Sequence, residues 1–223
     1  MKKVLGVVVA LLLAVTLLPA CGGGGGAGGG GGEGGGGTPP AYTGFTSPAE
    51  GQWAEYVVSN DGEEYHQKME CMGQDTVNGR TCVGFEMTMT VPQEGEVIVQ
   101  MWTDAATHQP VKYVMKMEGQ VFCMDIGQST YEPPAAETPS DYNPNLPDVV
   151  YGTYTTPTGK TVNVAKFEQA GEIWVSSQVP FGMVQVLDTS GNPVMQLYDF
   201  GLSGAHRDIS KTEMENCMQL PGF

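Results

Sequence analysis

Apolar and polar residues alternate with a period of two through most of the chain beyond residue 60. Between residues 83 and 91, the odd positions hold Val, Phe, Met, Met and Val, whereas the even positions hold Gly, Glu, Thr and Thr. Successive side chains of a β-strand point to opposite faces, so this pattern predicts strands that bury one face. The alternation predicts strands over residues 65–71, 83–91, 97–101, 111–117, 161–167, 172–176, 183–187 and 194–200.

Short turn signals separate these segments. Asp-Gly, Asn-Gly or Glu-Gly pairs stand at 61–62, 78–79, 94–95 and 118–119, and Gly-Asn-Pro stands at 191–193. Such pairs commonly connect antiparallel strands in hairpins. No stretch keeps a helical period over three turns, and the best candidate for a short helix is 210–220, where Ser210 and Glu213 would form a capping box. The pattern predicts a mainly all-β fold with little helix.

The first twenty residues have the organisation of a signal peptide. Lys2 and Lys3 precede an apolar run over residues 4–18, which is shorter than the roughly 20 residues that span a bilayer. Leu18-Pro19-Ala20-Cys21 resembles the bacterial lipobox, in which the cysteine is acylated and becomes the first residue of the mature protein. We therefore predict lipidation of Cys21. The alternatives are an ordinary signal peptide with an incidental cysteine, or a short membrane anchor.

The segment after Cys21 predicts a flexible tether. Residues 22–37 are glycine except for Ala27 and Glu33, and polyglycine has no side chains to bury and a high entropic cost of ordering. A coil of this length reaches roughly 20–25 Å. Residues 21–40 would thus hold a single β-rich domain, residues 41–223, away from a membrane. Gly22 stands where inner-membrane lipoproteins commonly carry aspartate, which favours the outer membrane, facing the periplasm or the cell surface.

Charge narrows the set of partners. The chain has 10 Lys and Arg residues against 25 Asp and Glu residues, and loss of Lys2 and Lys3 with the signal peptide takes the formal charge from −15 to −17. Such a surface repels nucleic acid and anionic lipid head groups. We expect no nucleic-acid partner, and contact with the membrane only through lipid on Cys21.

Four cysteines remain in the predicted domain: Cys71, Cys82, Cys123 and Cys217. An even number in an exported domain suggests two disulfides, for which three pairings are possible. Cys71 and Cys82 flank the Asn78-Gly79 turn signal, which favours them as a local pair and leaves Cys123 to pair with Cys217.

A proline-rich segment separates the two groups of predicted strands. Residues 127–159 contain six prolines and no clear alternation, which predicts a long loop. Loops of this length inside a domain are usually functional or disordered. Its tyrosines, leucine and valines would allow it to act as a lid over an apolar surface.

Several pieces of the chain resemble the lipoprotein-localisation (Lol) carriers and receptors. They are Val99-Gln100-Met101-Trp102-Thr103-Asp104 followed by His108-Gln109-Pro110-Val111-Lys112, then Thr156-Pro157-Thr158-Gly159-Lys160, the strand at 162–167, Glu172-Ile173-Trp174-Val175-Ser176 and Val179-Pro180-Phe181-Gly182. The resemblance spans about residues 50–203. It implies a curved antiparallel sheet, a half-open β-barrel with an apolar concave face. The chain departs from the soluble carrier of that family, which has no acyl anchor and has lid helices.

Methionine is the most unusual feature of the predicted strands. Twelve methionines remain after removal of residue 1, and a flexible, polarizable side chain suits a surface that accepts varied apolar ligands. The candidate ligand face consists of Phe85, Met87, Met89, Met101, Tyr113, Met115 and Met117. Packing within an ordinary core is the alternative explanation.

These observations predict a non-enzymatic lipoprotein that binds a hydrophobic ligand, such as an acyl chain, a lipid or a lipoprotein, on its concave face. The alternative is a structural or interaction lipoprotein with a sealed core and a protein partner. We expect no catalytic residues, no metal ligands and no cofactor. His206-Arg207-Asp208 is a compact polar cluster, but no sequence motif sets a nucleophile beside a base.

Overall fold

The computed structural model describes residues 47–60, 62–91, 95–126, 149–168 and 171–220. The strands in these ranges are β1 Trp53–Asn60, β2 Glu63–Val77, β3 Arg80–Val91, β4 Gly95–Asp104, β5 Pro110–Met117, β6 Gln120–Asp125, β7 Val150–Thr155, β8 Thr161–Glu168, β9 Glu172–Val175, β10 Met183–Leu187, β11 Pro193–Gly201 and β12 Met218–Gln219. One short helix, α1, covers Lys211–Glu215. The predicted all-β class is confirmed.

All twelve strands belong to one open sheet in the order β12-β6-β5-β4-β3-β2-β1-β11-β10-β9-β8-β7. Each half is a meander of hairpins, β1 to β6 and β7 to β11, and the pairing of β1 with β11 joins the halves. Neighbours are antiparallel except for β12, which runs parallel to β6. The sheet does not close, so the half-open barrel predicted from the family resemblance describes the architecture.

Two hairpins show how turn signals fix the register. Asn78 and Gly79 both have positive φ, at 51° and 76°, and so do Glu118 and Gly119, at 52° and 74°. Two consecutive left-handed residues match the twist of antiparallel strands in a two-residue turn. The turns therefore place Val77 opposite Arg80 and Met117 opposite Gln120.

All eight predicted strands are present, and four strands were not predicted: β1, β6, β7 and β12. The loop predicted over 127–159 is wrong at its C-terminal end, because β7 occupies Val150–Thr155 and pairs with β8. Residues 127–148, with the predicted lid, lie outside the described ranges. The helix predicted at 210–220 has the expected capping box but ends at Glu215, before β12 begins at Met218.

The sheet buries apolar residues on both faces. On the concave face, Ala54, Tyr56 and Phe85 from the first meander pack with residues of β8, β10 and β11 in one core. The residues after β11, 202–220, form what we call the C-terminal segment. On the opposite face of β2 to β6, Trp102, Val114 and Cys123 pack beneath Ile209 and Met214 of this segment. No helix within the described ranges has the length and apolar composition needed to span a bilayer.

The disulfide prediction is half right. Cys123 is bonded to Cys217, which fastens the C-terminal segment to β6. The predicted Cys71–Cys82 pair is wrong, because Cys82 is a free, buried thiol. The register sets Cys71 opposite Phe85 and Cys82 opposite Asp75, with a bulge between. The bulge leaves the two cysteines in cores on opposite faces of the sheet.

Candidate functional site

The seven residues of the predicted ligand face all lie on one face of β3, β4 and β5, because the registers align them in transverse rows. One row holds Met69, Met87, Val99, Met115 and Phe122. The next holds Gln67, Met89, Val97, Met117 and Gln120. A third holds Cys71, Phe85, Met101, Tyr113 and Met124. Directly opposed side chains on neighbouring strands are about 5 Å apart, so each row is continuous.

The third row belongs to the packed core. Phe85 and Met101 are buried, and the ring of Phe85 lies 6.1 Å from the ring of Phe181 in the second meander. Tyr113 packs against the same core, and burial raises the pKa of its phenol. These three residues of the predicted ligand face thus contribute to packing between the two halves of the sheet.

The other two rows form a separate cluster, which we call the methionine patch. Its members are Met69, Met87, Met89, Val97, Val99, Met115 and Met117. All of them come from β2 to β5, and in the described part of the chain no residue of the second meander belongs to this cluster. Met87, Met89 and Val97 are buried, whereas the other four are half-buried. The patch is therefore a layer of soft side chains with a more accessible margin at Met115 and Met117.

A shallow cavity of about 270 Å³ opens beside this margin. It lies where the chain enters β4 and leaves β5, and it is lined by Gly95, Glu96, Ile98, Lys116, Met117, Glu118 and Gly119. Met117 thus contacts both the patch and the cavity. Ile98 and Lys116, which pair across β4 and β5, belong to the opposite face of these strands, so the cavity lies mainly on the face that α1 covers.

The alternation predicted that the opposite face of the same strands is a polar outer face. In the structure, this face carries a buried polar network. Glu86 is 1% exposed, and its carboxylate accepts hydrogen bonds from the backbone N–H of Asp208 at 2.7 Å and of Ile209 at 3.1 Å. The side chain of Gln100 donates to the same carboxylate at 2.6 Å and also to the carbonyl of Ile209 at 2.7 Å. Burial raises the pKa of Glu86, and its N–H donors oppose that shift. The network fixes the C-terminal segment on the sheet.

Trp102 completes this anchor. Its indole Nε1 donates to Gln100 at 3.2 Å, and its ring lies so close to Gly84 that a Cβ there would be 2.6 Å from the ring. The guanidinium of Arg207 lies 5.0 Å from the indole ring and pairs with Asp75 at 3.3 Å. Glycine at position 84 is thus what lets the indole pack flat on β3 beneath the segment.

The polar cluster noted at His206-Arg207-Asp208 gains a second acidic residue, Glu70, from β2. His206 Nδ1 lies 3.3 Å from Glu70 Oε1, and His206 Nε2 lies 3.1 Å from Asp208 Oδ1. No sequence motif marked Glu70, because β2 and this segment are brought together only by the fold. None of the three residues is a serine, threonine or cysteine, so the cluster has no activated nucleophile of its own.

The predicted lipidation site, Cys21, lies outside the residues that the structure describes, as do the signal peptide and the tether. No protein-family model matches this chain, and no curated protein sequence is similar enough to count as a match. The resemblance to the Lol carriers and receptors therefore stays a prediction from the motifs quoted above.

Proposed function

We propose that this protein is an extracytoplasmic lipoprotein, held at a membrane by lipid on Cys21, that binds a hydrophobic ligand on the methionine patch. The ligand would be an acyl chain, a lipid or an acylated protein, and binding would involve no catalysis. The observation that carries the proposal is the alignment of methionines in two register-matched rows on the concave face. The outer membrane is the favoured location, because Gly22 lacks the retention signal.

The composition of the patch supports a ligand of variable shape. Methionine has three rotatable side-chain bonds, so neighbouring methionines can repack around different apolar partners. No residue of the patch is charged, and the row of Met89, Val97 and Met117 lies between the neutral side chains of Gln67 and Gln120. Met115 and Met117 form the margin through which a ligand would enter.

A second function is favoured by the low exposure of the patch centre. Met89 is 1% exposed and Val97 is 2% exposed, values typical of a finished core. If the patch stays covered in solution, the protein is a structural or interaction lipoprotein whose partner contacts another surface. The two functions differ in one measurable property, the uptake of an apolar molecule by the folded protein.

Uptake of an apolar fluorescent dye by the full chain tests this difference. A ligand-binding protein takes up the dye saturably, and Met115→Lys and Met117→Lys weaken uptake at least tenfold because a charge would have to be desolvated. Leu202→Lys is the matched control, since Leu202 is 64% exposed and lies outside the patch. Circular dichroism must show that each variant remains folded. A wild type that takes up no dye would favour the sealed core.

The membrane anchor needs its own test. Cys21→Ser should leave the precursor unprocessed by the lipoprotein signal peptidase, and metabolic labelling with a fatty acid should mark the wild type but not the variant. Normal processing and membrane retention of Cys21→Ser would contradict the lipid anchor. That outcome would leave the dye experiment, and hence the ligand-binding proposal, unaffected.

A further inference from the structure

The cluster of Glu70, His206 and Asp208 has the composition of a divalent-metal site. One donor atom from each residue, a carboxylate oxygen or an imidazole nitrogen, lies within 4.8 Å of the other two. Zn²⁺ and related ions bind imidazole nitrogen and carboxylate oxygen at about 2.0–2.2 Å, and many sites use three protein ligands plus water. His206 Nδ1 faces Glu70 and Nε2 faces Asp208, so one ion binds all three residues only after the His206 ring, whose side chain is 61% exposed, turns one nitrogen towards both carboxylates.

An independent observation points to a cation at Glu70. This carboxylate is 1% exposed, and its Oε1 accepts a hydrogen bond from the backbone N–H of His206 at 3.1 Å and one from Lys68 Nζ at 2.7 Å. Its Oε2 is buried and has no hydrogen-bond partner among the described residues. A buried carboxylate oxygen without a partner is costly, and a bound cation would offset that cost.

The surrounding charge is compatible with cation binding. The cluster carries two carboxylates, and the cation next to it is Lys68, whose Nζ also lies 5.1 Å from the centroid of the Trp53 ring. Lys68 can therefore move towards the indole when a metal ion takes its place beside Glu70, because the face of an indole attracts an ammonium group. The high negative charge of the chain further favours cations over anions.

We propose that Glu70, His206 and Asp208 bind a divalent cation of the Zn²⁺ type and that this ion ties the C-terminal segment to β2. The imidazole favours such ions over Mg²⁺ and Ca²⁺, which prefer ligand sets made only of oxygen. The ion would join residues 136 positions apart. It would thus add a further attachment of the segment, beside the Glu86 network and the Cys123–Cys217 disulfide.

Calorimetric titration of ZnCl2 into the EDTA-treated full chain at pH 7.5 tests the proposal. We expect one saturable zinc site and at least tenfold weaker binding of MgCl2 and CaCl2. His206→Ala, Asp208→Asn and Glu70→Gln should each weaken zinc binding at least tenfold. His66→Ala is the matched control, because His66 also pairs with a carboxylate, that of Glu55 at 2.6 Å, but outside the cluster.

A further readout separates metal binding from a general effect on the fold. Zinc should raise the melting temperature of the wild type and of His66→Ala but not that of His206→Ala, since a ligand stabilises only the state that binds it. The proposal is wrong if the wild type shows no saturable zinc site, if His206→Ala binds zinc as tightly as the wild type, or if His66→Ala loses as much affinity.

Discussion

Glu86 and Met87 are neighbours on β3, yet they enter opposite kinds of environment. Glu86 points into a network of directional hydrogen bonds that holds the C-terminal segment, whereas Met87 points into a layer of flexible apolar side chains. Both are buried, at 1% and 7% exposure. Burial alone therefore does not distinguish the two faces of these strands.

The two faces differ in how strictly they specify what covers them. The Glu86 carboxylate accepts N–H groups of two consecutive residues, Asp208 and Ile209, so a shift of the segment by one residue would break these bonds. Contacts between methionine side chains have no such directionality and tolerate different partners. The polar face is thus suited to hold one permanent segment, and the methionine patch is suited to exchangeable occupants.

The largest effect should come from removing the carboxylate on the polar face. Glu86→Leu leaves two backbone N–H groups and the Gln100 amide without an acceptor, which should lower the free energy of unfolding by about 3–5 kcal/mol. Glu86→Gln keeps one acceptor oxygen and should cost less. Chemical denaturation measures both. Equal stability of Glu86→Leu and the wild type would contradict the anchoring role of the network.

The disulfide should contribute nearly as much. Cys123 and Cys217 are 94 residues apart, and removal of a disulfide that closes a long loop costs about 2–4 kcal/mol. The double variant Cys123→Ser/Cys217→Ser should unfold at correspondingly lower denaturant, whereas Cys82→Ala should keep the Cys123–Cys217 disulfide. Alkylation of the denatured, unreduced protein followed by peptide mapping should label Cys82. Labelling of Cys123 would contradict the pairing.

On the apolar face, replacing a buried side chain by one of similar volume but different shape should have little effect on the free energy of unfolding. Met87→Leu should lower the free energy of unfolding by less than about 1.5 kcal/mol, because the side chains have similar volume. Met87 and Glu86 thus form an adjacent pair of sites for one comparison by denaturation. A loss at Met87→Leu as large as that at Glu86→Leu would show that the methionine patch is as strictly packed as the polar face.

The smallest effect on stability should come from a substitution at the surface of α1. The hydrogen bonds of Glu213 with Lys116, at 2.8 Å, and with Ser210 lower the pKa of Glu213 to about 2. Because the folded-state pKa is below the usual 4.5, this contribution is present above pH 4.5 and is lost as the pH falls towards 2. The pKa of Glu86 is raised instead, so its contribution to stability has the opposite pH dependence and is lost as the pH rises through the folded-state pKa of Glu86.

Glu213→Gln should therefore be less stable than the wild type at neutral pH, and the difference should shrink between pH 4.5 and 2. Urea denaturation at several pH values measures it. A difference that stays constant across this range would mean that the pairing with Lys116 does not depend on the charge of Glu213.

The sequence predicted the parts of the fold that depend on neighbouring residues. Alternation located eight strands, Asn78-Gly79 located a hairpin, and Ser210 with Glu213 located the capping box of α1. It missed β7, where exposed Tyr151 and Val150 give no clear apolar face and prolines stand nearby. Local patterns carry this information because turns, caps and alternation involve residues that are close in sequence.

The candidate sites depended on information that no local pattern holds. The alternation put Met87 and Met115 on one face correctly, but it could not show that Phe85 would be sealed by Phe181 of the second meander. Likewise, a single bulge next to Cys71 moved it and Cys82 to opposite faces. Glu70 and His206 meet only because the C-terminal segment crosses β2. Such contacts are decided by long-range packing.

The pairing of β1 with β11 also bears on how fast the domain can fold. Most neighbours in the sheet are consecutive hairpins, which form from contacts close in sequence, but Tyr56 of β1 pairs with Leu197 of β11. Contacts of such high sequence separation slow folding, because a long loop must close before they form. We expect each meander to form early and the step that joins them to limit the rate. Until then, β1 and β11 each present an unpaired edge that can recruit another chain.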